Sequence, residues 1–275
     1  MFGIDKEIYN IFKGASNTFF YYSLFFQKNK RQDIFDLYAF VRIADEFVDK
    51  PDQDIEGLNN FKSQYIKGQT SNKFIANFLE LEAKYSFDKA WTKSFFHSIE
   101  LDTHRKIYQT QQELNEYLYG IAEVIGLFMS SILELDSQAY QFAKLHGRAM
   151  QYANIIRDIY VDQKELSRTY IPLEHIKNFG LKSLGINEVK NNPGNFKQLI
   201  EFEAKEFERL LILGEEGFKY INKRALIPIK AAADAYKLVI KRIVNNPMLI
   251  FETKVKPKKY EFYIILFKAL FYQTK

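Results

Sequence analysis

Apolar residues recur at steps of three and four along most of the chain, which is the spacing that places side chains on one face of an α-helix. Strictly alternating segments, which would indicate strands, are scarce. Only 12 glycines and 6 prolines interrupt the helical pattern. The sequence therefore predicts an all-α protein with helices over residues 4–12, 17–26, 31–49, 55–67, 72–84, 88–107, 111–133, 137–165, 173–178, 195–221, 224–245 and 258–272.

This pattern runs from end to end without a low-complexity linker or an internal repeat. A chain of 275 residues, 47% of them hydrophobic, can bury a large core. We therefore predict a single helical domain over residues 1–275, built as a bundle around a central cavity.

Two aspartates continue an apolar stripe in the segment RIADEFVD, residues 42–49. Steps back from Asp45 by helical intervals reach Val41 and Tyr38, and one step forward reaches Asp49. The two acids therefore lie on a face that is predicted to point inward. Because burying an unpaired carboxylate is costly, a positive charge is expected to meet them.

A second polar face appears in the segment QYANIIRDIYVDQKE. Gln151, Asn154, Asp158 and Asp162 follow one another at steps of 3, 4 and 4, so all four line one side of a helix. A polar face toward the interior of a bundle predicts a cavity that holds water or a ligand.

Two helices that each carry aspartates at positions i and i+4 favour a site for hard divalent cations. Mg²⁺, with Mn²⁺ as an alternative, binds a few carboxylates, keeps several waters and completes its shell with phosphate oxygens. Such cations draw charge from a leaving diphosphate, and Arg42 and Arg157 would add direct phosphate contacts. A lone pair of aspartates four residues apart is commonly a solvated face, so the metal hypothesis depends on the two pairs together.

Other metal and nucleotide sites are not supported by the sequence. A di-iron bundle needs Glu-x-x-His on two helices, and no glutamate stands three residues before His97, His104, His146 or His175. These histidines also lack zinc spacing, and no Walker or Rossmann glycine loop is present.

Charge is distributed unevenly along the chain. The net charge is +5, and residues 219–275 contain 13 Lys and Arg against 3 Asp and Glu. There a lysine cluster meets a run of aromatic and aliphatic residues, KVKPKKYEFYIILFKALFY, which suits the surface of an anionic membrane. A last helix that packs on the core explains the composition equally well, and no motif favours nucleic-acid binding.

The setting predicted from the sequence is the cytoplasm, with peripheral contact to a membrane as an added option. The chain has no cysteine, its N-terminus does not look like a signal peptide, and no apolar run reaches the length of a membrane span.

At this point the residues resemble the squalene and phytoene synthases, most closely the prokaryotic phytoene synthases. The resemblance covers most of the chain through six ordered segments, which are SNTF at 16–19, YAFVRIADEFVD at 38–49, YLYGIAEVIG at 117–126, NIIRDIYVD at 154–162, RTYIP at 168–172 and PIKAAADAY at 228–236. It implies the helical fold of the class I isoprenoid synthases and a carbocation reaction in which two prenyl diphosphates are joined head to head.

The resemblance also implies roles for individual residues. Asp45, Asp49, Asp158 and Asp162 would bind magnesium, and Tyr119 would place a hydroxyl in the cavity without an assigned role. The diphosphates would be held by Ser16, Thr18, Tyr38, Arg42, Gln151, Asn154, Arg157 and Tyr236, and by Lys254, which stands where the family often has arginine. The predicted reaction is the conversion of two geranylgeranyl diphosphates to phytoene in carotenoid biosynthesis.

Three alternatives stay open at this stage. Farnesyl diphosphate could give squalene, with NADPH as reductant, or dehydrosqualene. A head-to-tail prenyl elongator is also helical, but its aspartates are usually adjacent, whereas Glu46 follows Asp45 and Ile159 follows Asp158. A silent relative that serves as an assembly protein would typically lack the four aspartates, which this chain has.

Overall fold

A computed structural model describes the backbone of residues 4–15 and 17–272, together with their side chains except those of residues 15, 17 and 18. The predicted all-α fold is confirmed. Apart from an isolated bridge between Ile107 and Thr169, no β-structure occurs in these ranges. The α-helices are α1 (Lys6–Ala15), α2 (Asn17–Ser23), α3 (Lys28–Glu46), α4 (Ile55–Ile66), α5 (Lys73–Tyr85), α6 (Lys89–His104), α7 (Gln111–Leu118), α8 (Val124–Ile132), α9 (Tyr140–Leu166), α10 (Leu173–Asn178), α11 (Ile186–Asn191), α12 (Pro193–Glu215), α13 (Lys223–Asn245), α14 (Leu249–Glu252) and α15 (Lys259–Leu270).

The two aspartate-bearing helices are α3 and α9. Helix α9 is the longest in the described ranges and packs against α8, α12 and α13, while α3 packs against α1, α5 and α8. Apolar residues hold each in place: Phe35 and Phe40 on α3, and Ile155, Ile156 and Ile159 on α9, are all buried. The two helices are therefore fixed from behind, and their polar faces are free to meet a cavity.

The predicted helix over residues 111–133 is divided. Helices α7 and α8 flank a π-helical turn, Tyr119–Glu123. Within this turn Gly120 lies directly against α6, where any added Cβ would overlap the carbonyl oxygen of Ser94. Apolar periodicity continues through the turn, which is why the sequence predicted one helix. The short helices α11 and α14 lie outside the predicted ranges.

A backbone strap joins the ends of α6 and α9. It consists of residues 106–109 and 169–174, between which Thr169 N–H donates to the Lys106 carbonyl at 2.8 Å and Leu173 N–H donates to the Tyr108 carbonyl at 2.9 Å. The strap fixes the segment that follows α9 beside the end of α3.

None of the helices in the described part of the chain combines the length and the apolar character that a bilayer span requires.

Candidate active site

A cavity of about 770 Å³ lies between α2, α3, α8, α9 and α13. This volume is within the range of small-molecule sites. Its wall is polar where α3 ends and α9 carries its aspartates, and it is mainly apolar toward α8 and the start of α13. The cavity thus presents charged groups at one end and hydrocarbon at the other.

The first acid pair stands at the end of α3. Asp45 lies in the last turn, and Asp49 follows the helix, which ends at Glu46 rather than at the predicted residue 49. The spacing survives because the backbone N–H of Asp49 still donates to the Asp45 carbonyl at 2.8 Å. Both aspartates line the cavity.

Two cations meet this pair at Asp49: Arg42, whose guanidinium lies 3.8 Å from the carboxylate, and Arg168, which is 1% exposed. Ser167 adopts a left-handed backbone conformation, φ 54°, and turns the chain back after α9 so that Arg168 lies behind Asp49. Its guanidinium contacts the Asp49 carboxylate at 3.3 Å and donates to the Val48 carbonyl at 2.6 Å. The sequence predicted a positive partner here but did not identify Arg168.

A third carboxylate, Asp102 at the end of α6, was missed by the sequence analysis. It is buried, lines the cavity, and accepts hydrogen bonds from the hydroxyls of Tyr117 at 3.0 Å and Tyr170 at 2.9 Å. Burial raises the pKa of Asp102 to about 6, while the nearby Arg168 charge lowers it. No sequence signal marks Asp102, because no second acid stands one helical turn away.

The second acid pair lies on α9, as the sequence predicted. Asp158 accepts a hydrogen bond from Nε of Arg157 at 2.8 Å, and Asp162 stands one turn further along. Toward the N-terminal end of α9, the Asn154 side chain donates to Gln151 at 3.1 Å and accepts from the Tyr236 hydroxyl of α13. Carboxylates, amides and an arginine therefore form one continuous polar wall.

Two of the four aspartates have no partner. No described side chain makes a hydrogen bond or an ion pair with Asp45 or Asp162, although both line the cavity. Burial, and then the charge of Asp49, raises the pKa of Asp45 well above its usual value. Burial, and then the charges of Asp158 and Asp49, raises the pKa of Asp162 to about 8. The two helices therefore bring together carboxyl groups that are costly to ionise side by side and that the arginines only partly stabilise.

Asp49 differs from its neighbours because its side chain is 40% exposed. Burial raises its pKa and Arg168 opposes this, but water at the exposed face moderates both effects. The cavity mouth is therefore on the Asp49 side of the polar wall.

The donors suit a hydrated divalent cation better than a cation held by protein alone. Among the described residues, no three His, Asp or Glu side chains converge closely enough to enclose a metal ion. Magnesium needs less than this, since it keeps waters and accepts substrate phosphate oxygens. The unpartnered carboxylates of Asp45 and Asp162 are the groups that such an ion would neutralise.

Aromatic side chains form much of the remaining wall. From the aromatic segment at 19–26, Phe19, Tyr22 and Phe26 line the cavity. Phe20 is buried away from the cavity, and Tyr21 and Phe25 are exposed. The side chains point in different directions because the segment is helical up to Ser23 and turns after it.

Most of the predicted site residues meet at this cavity. It is lined by Tyr38, Arg42, Asp45, Asp49, Gln151, Asn154, Arg157, Asp158, Asp162, Tyr236 and Lys254. Tyr119 is elsewhere: it packs against the core formed by α3, α5, α6 and α8, and Tyr117 lines the cavity in its place. A residue two positions from Tyr117 on a helix points to nearly the opposite side. Ser16 lies outside the described residues, as does the side chain of Thr18.

Comparison with known proteins bears on this arrangement. The family model described as squalene/phytoene synthase matches residues 12–261. The 4,4'-diapophytoene synthase of Staphylococcus haemolyticus is 24% identical over 86% of this chain and 85% of its own. The 15-cis-phytoene synthase of a Synechocystis strain is 26% identical over 92% of this chain and 82% of its own.

Solved structures show the same fold. A dehydrosqualene synthase in complex with a ligand superposes with a TM-score of 0.83 at 24% identity, covering 96% of this chain and 94% of that one. The squalene synthase HpnC from Alicyclobacillus acidocaldarius gives a TM-score of 0.77 at 18% identity, covering 87% and 92%.

Proposed function

Because the chain belongs to the squalene/phytoene synthase family of prenyltransferases, we propose that it condenses two geranylgeranyl diphosphates head to head to phytoene. In the first half-reaction one diphosphate leaves, the double bond of the second substrate attacks the allylic cation, and loss of a proton closes the ring of a cyclopropyl diphosphate. This intermediate then loses its diphosphate and rearranges, and loss of a second proton gives the hydrocarbon, in a step of carotenoid biosynthesis.

The observation that carries the proposal is the division of one cavity into a charged end and an apolar end. A prenyl diphosphate has the same division. Along α9 the lining includes Asp162 at the charged end and Ala143 at the apolar end, and the 19 residue steps between them at about 1.5 Å each give about 28 Å. An extended chain of sixteen carbons, with bonds of about 1.5 Å, spans about 20 Å and fits this length.

Magnesium is proposed as the cofactor, with Mn²⁺ as a substitute. Asp45 and Asp49 on one side, and Asp158 and Asp162 on the other, would hold the ions. Bound there, they would draw charge from the leaving diphosphate.

The remaining polar groups act on the substrate directly. Arg42 and Arg157 present guanidinium groups to the cavity, and their planar N–H groups match diphosphate oxygens. Gln151, Asn154 and the hydroxyl groups of Tyr38 and Tyr236 extend this surface, and Lys254 faces it from beyond α14. The apolar end excludes water from the cation, and its aromatic faces stabilise positive charge.

Farnesyl diphosphate is the second candidate substrate. It is favoured by the likeness to a dehydrosqualene synthase and a diapophytoene synthase. The product would be dehydrosqualene, or squalene if NADPH supplied the reducing equivalents.

The test is incubation of the purified protein with labelled geranylgeranyl or farnesyl diphosphate, with magnesium or with EDTA. We expect magnesium-dependent diphosphate release and extractable phytoene. The variant Asp45→Asn with Asp158→Asn should lose at least 100-fold in rate, because it removes charge from both acid pairs. Exposed Asp52→Asn is the matched control and should retain activity.

The possible results separate the candidates. A product from farnesyl diphosphate alone would replace the first substrate by the second. No release from either substrate would contradict the enzyme proposal and favour a silent relative with an assembly role.

The proposed substrates and product are lipids, so we also propose that the protein works in the cytoplasm in peripheral contact with a membrane. The basic and aromatic residues near the C-terminus support this partner.

A further inference from the structure

Helix α15 carries an apolar face that points away from the protein. Tyr260, Tyr263, Ile264, Phe267 and the adjoining Phe271 are between 49% and 67% exposed. They recur at helical steps of three and four, so they form one continuous row, here called the outer stripe. Exposed apolar residues are ordinary when scattered, but a contiguous row on one helix indicates an interaction surface.

The outer stripe is not needed to fix α15 to the protein. The opposite face does this, with Ile265 and Ala269 buried against α2 and α13. On that inner face the ring of Phe262 stacks on Tyr22 of α2, with centroids 4.6 Å apart and planes inclined by 9°. Helix α15 is therefore apolar on two sides, and within the part of the chain that the structure describes only one side packs against other helices.

Positive charge surrounds the outer stripe. Lys256, Lys258 and Lys259 precede it and Lys268 lies within its last turns. The only acid in residues 254–272 is Glu261, and it is already bound: its carboxylate pairs with Arg242 and accepts from the backbone N–H of Lys258 at 2.6 Å. A partner that meets this surface therefore meets apolar side chains rimmed by free lysines.

The inner face of α15 lies next to the cavity wall. Tyr22 lines the cavity and also stacks on α15, and its buried hydroxyl has no hydrogen-bond partner among the described residues. On α13, Ile229 and Ala232 line the cavity, while Ala231 and Ala235 belong to the cluster under α15. At Tyr22 a single side chain thus separates the cavity from α15.

We propose that the outer stripe inserts into the interfacial region of an anionic lipid bilayer, with the flanking lysines on the lipid head groups. Charge complementarity selects this partner, because an apolar row with basic flanks and no free acid is the composition of a helix that lies in a membrane interface. Together with the proposed function, this docking has a consequence for the substrate. It places the cavity wall at Tyr22, Ile229 and Ala232 beside the lipid phase that supplies and receives prenyl chains.

Vesicle co-sedimentation tests the proposal without any substrate. Wild-type protein should bind vesicles of phosphatidylcholine and phosphatidylglycerol, should bind phosphatidylcholine alone at least tenfold more weakly, and should be released by salt. The variant Phe267→Ser with Phe271→Ser should lose at least tenfold in binding to the anionic vesicles. The charge variant Lys258→Glu with Lys259→Glu should lose binding and salt dependence together.

The control makes the same kind of change on other surfaces. Ile66 on α4 and Ile212 on α12 are 69% and 61% exposed, so Ile66→Ser with Ile212→Ser removes equally exposed apolar groups and should bind like wild type. Matching thermal unfolding midpoints would show that all variants fold.

Several outcomes would overturn the proposal. These are no binding of the wild type, equal binding of the stripe variant, or an equal loss in the control variant. A wild-type dimer in light scattering that the stripe variant lacks would assign the stripe to self-association instead. Because turnover is measured separately, failure of vesicle binding leaves the proposed reaction unaffected, and failure of the reaction leaves the binding result standing.

Discussion

Arg168 is surrounded by acceptors that belong to two other parts of the chain, the end of α3 and the end of α6. Its guanidinium donates to the Asp49 carboxylate, to the Val48 carbonyl and, at 3.0 Å, to the Asp102 carbonyl. It also lies 3.6 Å from the Asp102 carboxylate. A charge in this position both neutralises the acids and joins α3, α6 and the end of α9.

Replacing Arg168 by Met should be strongly destabilising. The change leaves the buried Asp102 carboxylate without its cation, and breaking one half of a buried ion pair typically costs about 3–5 kcal/mol. Urea unfolding measures the loss. Adding Asp102→Asn to Arg168→Met should restore part of the stability, and strictly additive losses in the double variant would argue against direct coupling.

His146 should make the stability of the fold depend on pH. It lines the cavity, its Nε2 is buried without a hydrogen-bond partner among the described residues, and burial, followed by the charges of Lys237 and Lys230, lowers its pKa to about 4. A group whose folded pKa lies below its unfolded value destabilises the fold as pH falls between the two. The free energy of unfolding should therefore drop between about pH 6.5 and 4 by up to about 3 kcal/mol more in wild type than in His146→Gln. Parallel pH curves for the two proteins would contradict this.

The π-helical turn depends on a close contact between its glycine and α6. Gly120 allows it to lie against α6, so Gly120→Ala should push the two apart and cost about 1–3 kcal/mol. Gly194, in the first turn of α12, has open space around it, and Gly194→Ala should be neutral or slightly stabilising. Chemical denaturation of both variants checks the contrast, which equal costs would rule out.

Helices with a long apolar period were predictable from sequence, and those that depend on local packing were not. Helix α9 was predicted to within a few residues because its isoleucines and its polar face recur at helical spacing between Gln151 and Asp162. The π-helical turn was missed because it arises from contact between Gly120 and α6, which no local pattern records.

The same distinction applies to the site. The aspartate pairs repeat at i and i+4 and were found, whereas Asp102 and Arg168 join the site through tertiary contacts from isolated positions. Tyr119 was predicted from its neighbours in a motif, but the direction of its side chain depends on the geometry of the turn.

The central cavity of the molecule contains more carboxyl groups than nearby cations can balance. Five aspartates line it, and burial together with repulsion from neighbouring aspartates raises the pKa of the unpartnered Asp45 and Asp162. The fold therefore tolerates repulsion that a bound cation would relieve, as active sites commonly do at some cost in stability.

Magnesium with inorganic diphosphate should raise the unfolding temperature of the protein by several degrees at ligand concentrations far above Kd, through binding to the folded state. Asp45→Asn with Asp162→Asn should lose this rise. Without ligand the same variant should unfold at a higher temperature than wild type, since it removes the repulsion. Scanning fluorimetry measures both, with Asp52→Asn as the control. An unfolding temperature of the wild type that does not change when magnesium and diphosphate are added would contradict a metal-diphosphate site.

The strap between residues 106–109 and 169–174 has a consequence for motion. Its loops donate backbone N–H groups to one another as strands do, with Tyr108, Thr169, Leu173 and Glu174 as donors. In hydrogen–deuterium exchange these loop amides should be protected like those of the adjoining helices. The cavity entrance beside Arg168 should therefore be rigid. The opening motion that admits a long substrate is expected on the opposite side, where α2 and α15 meet.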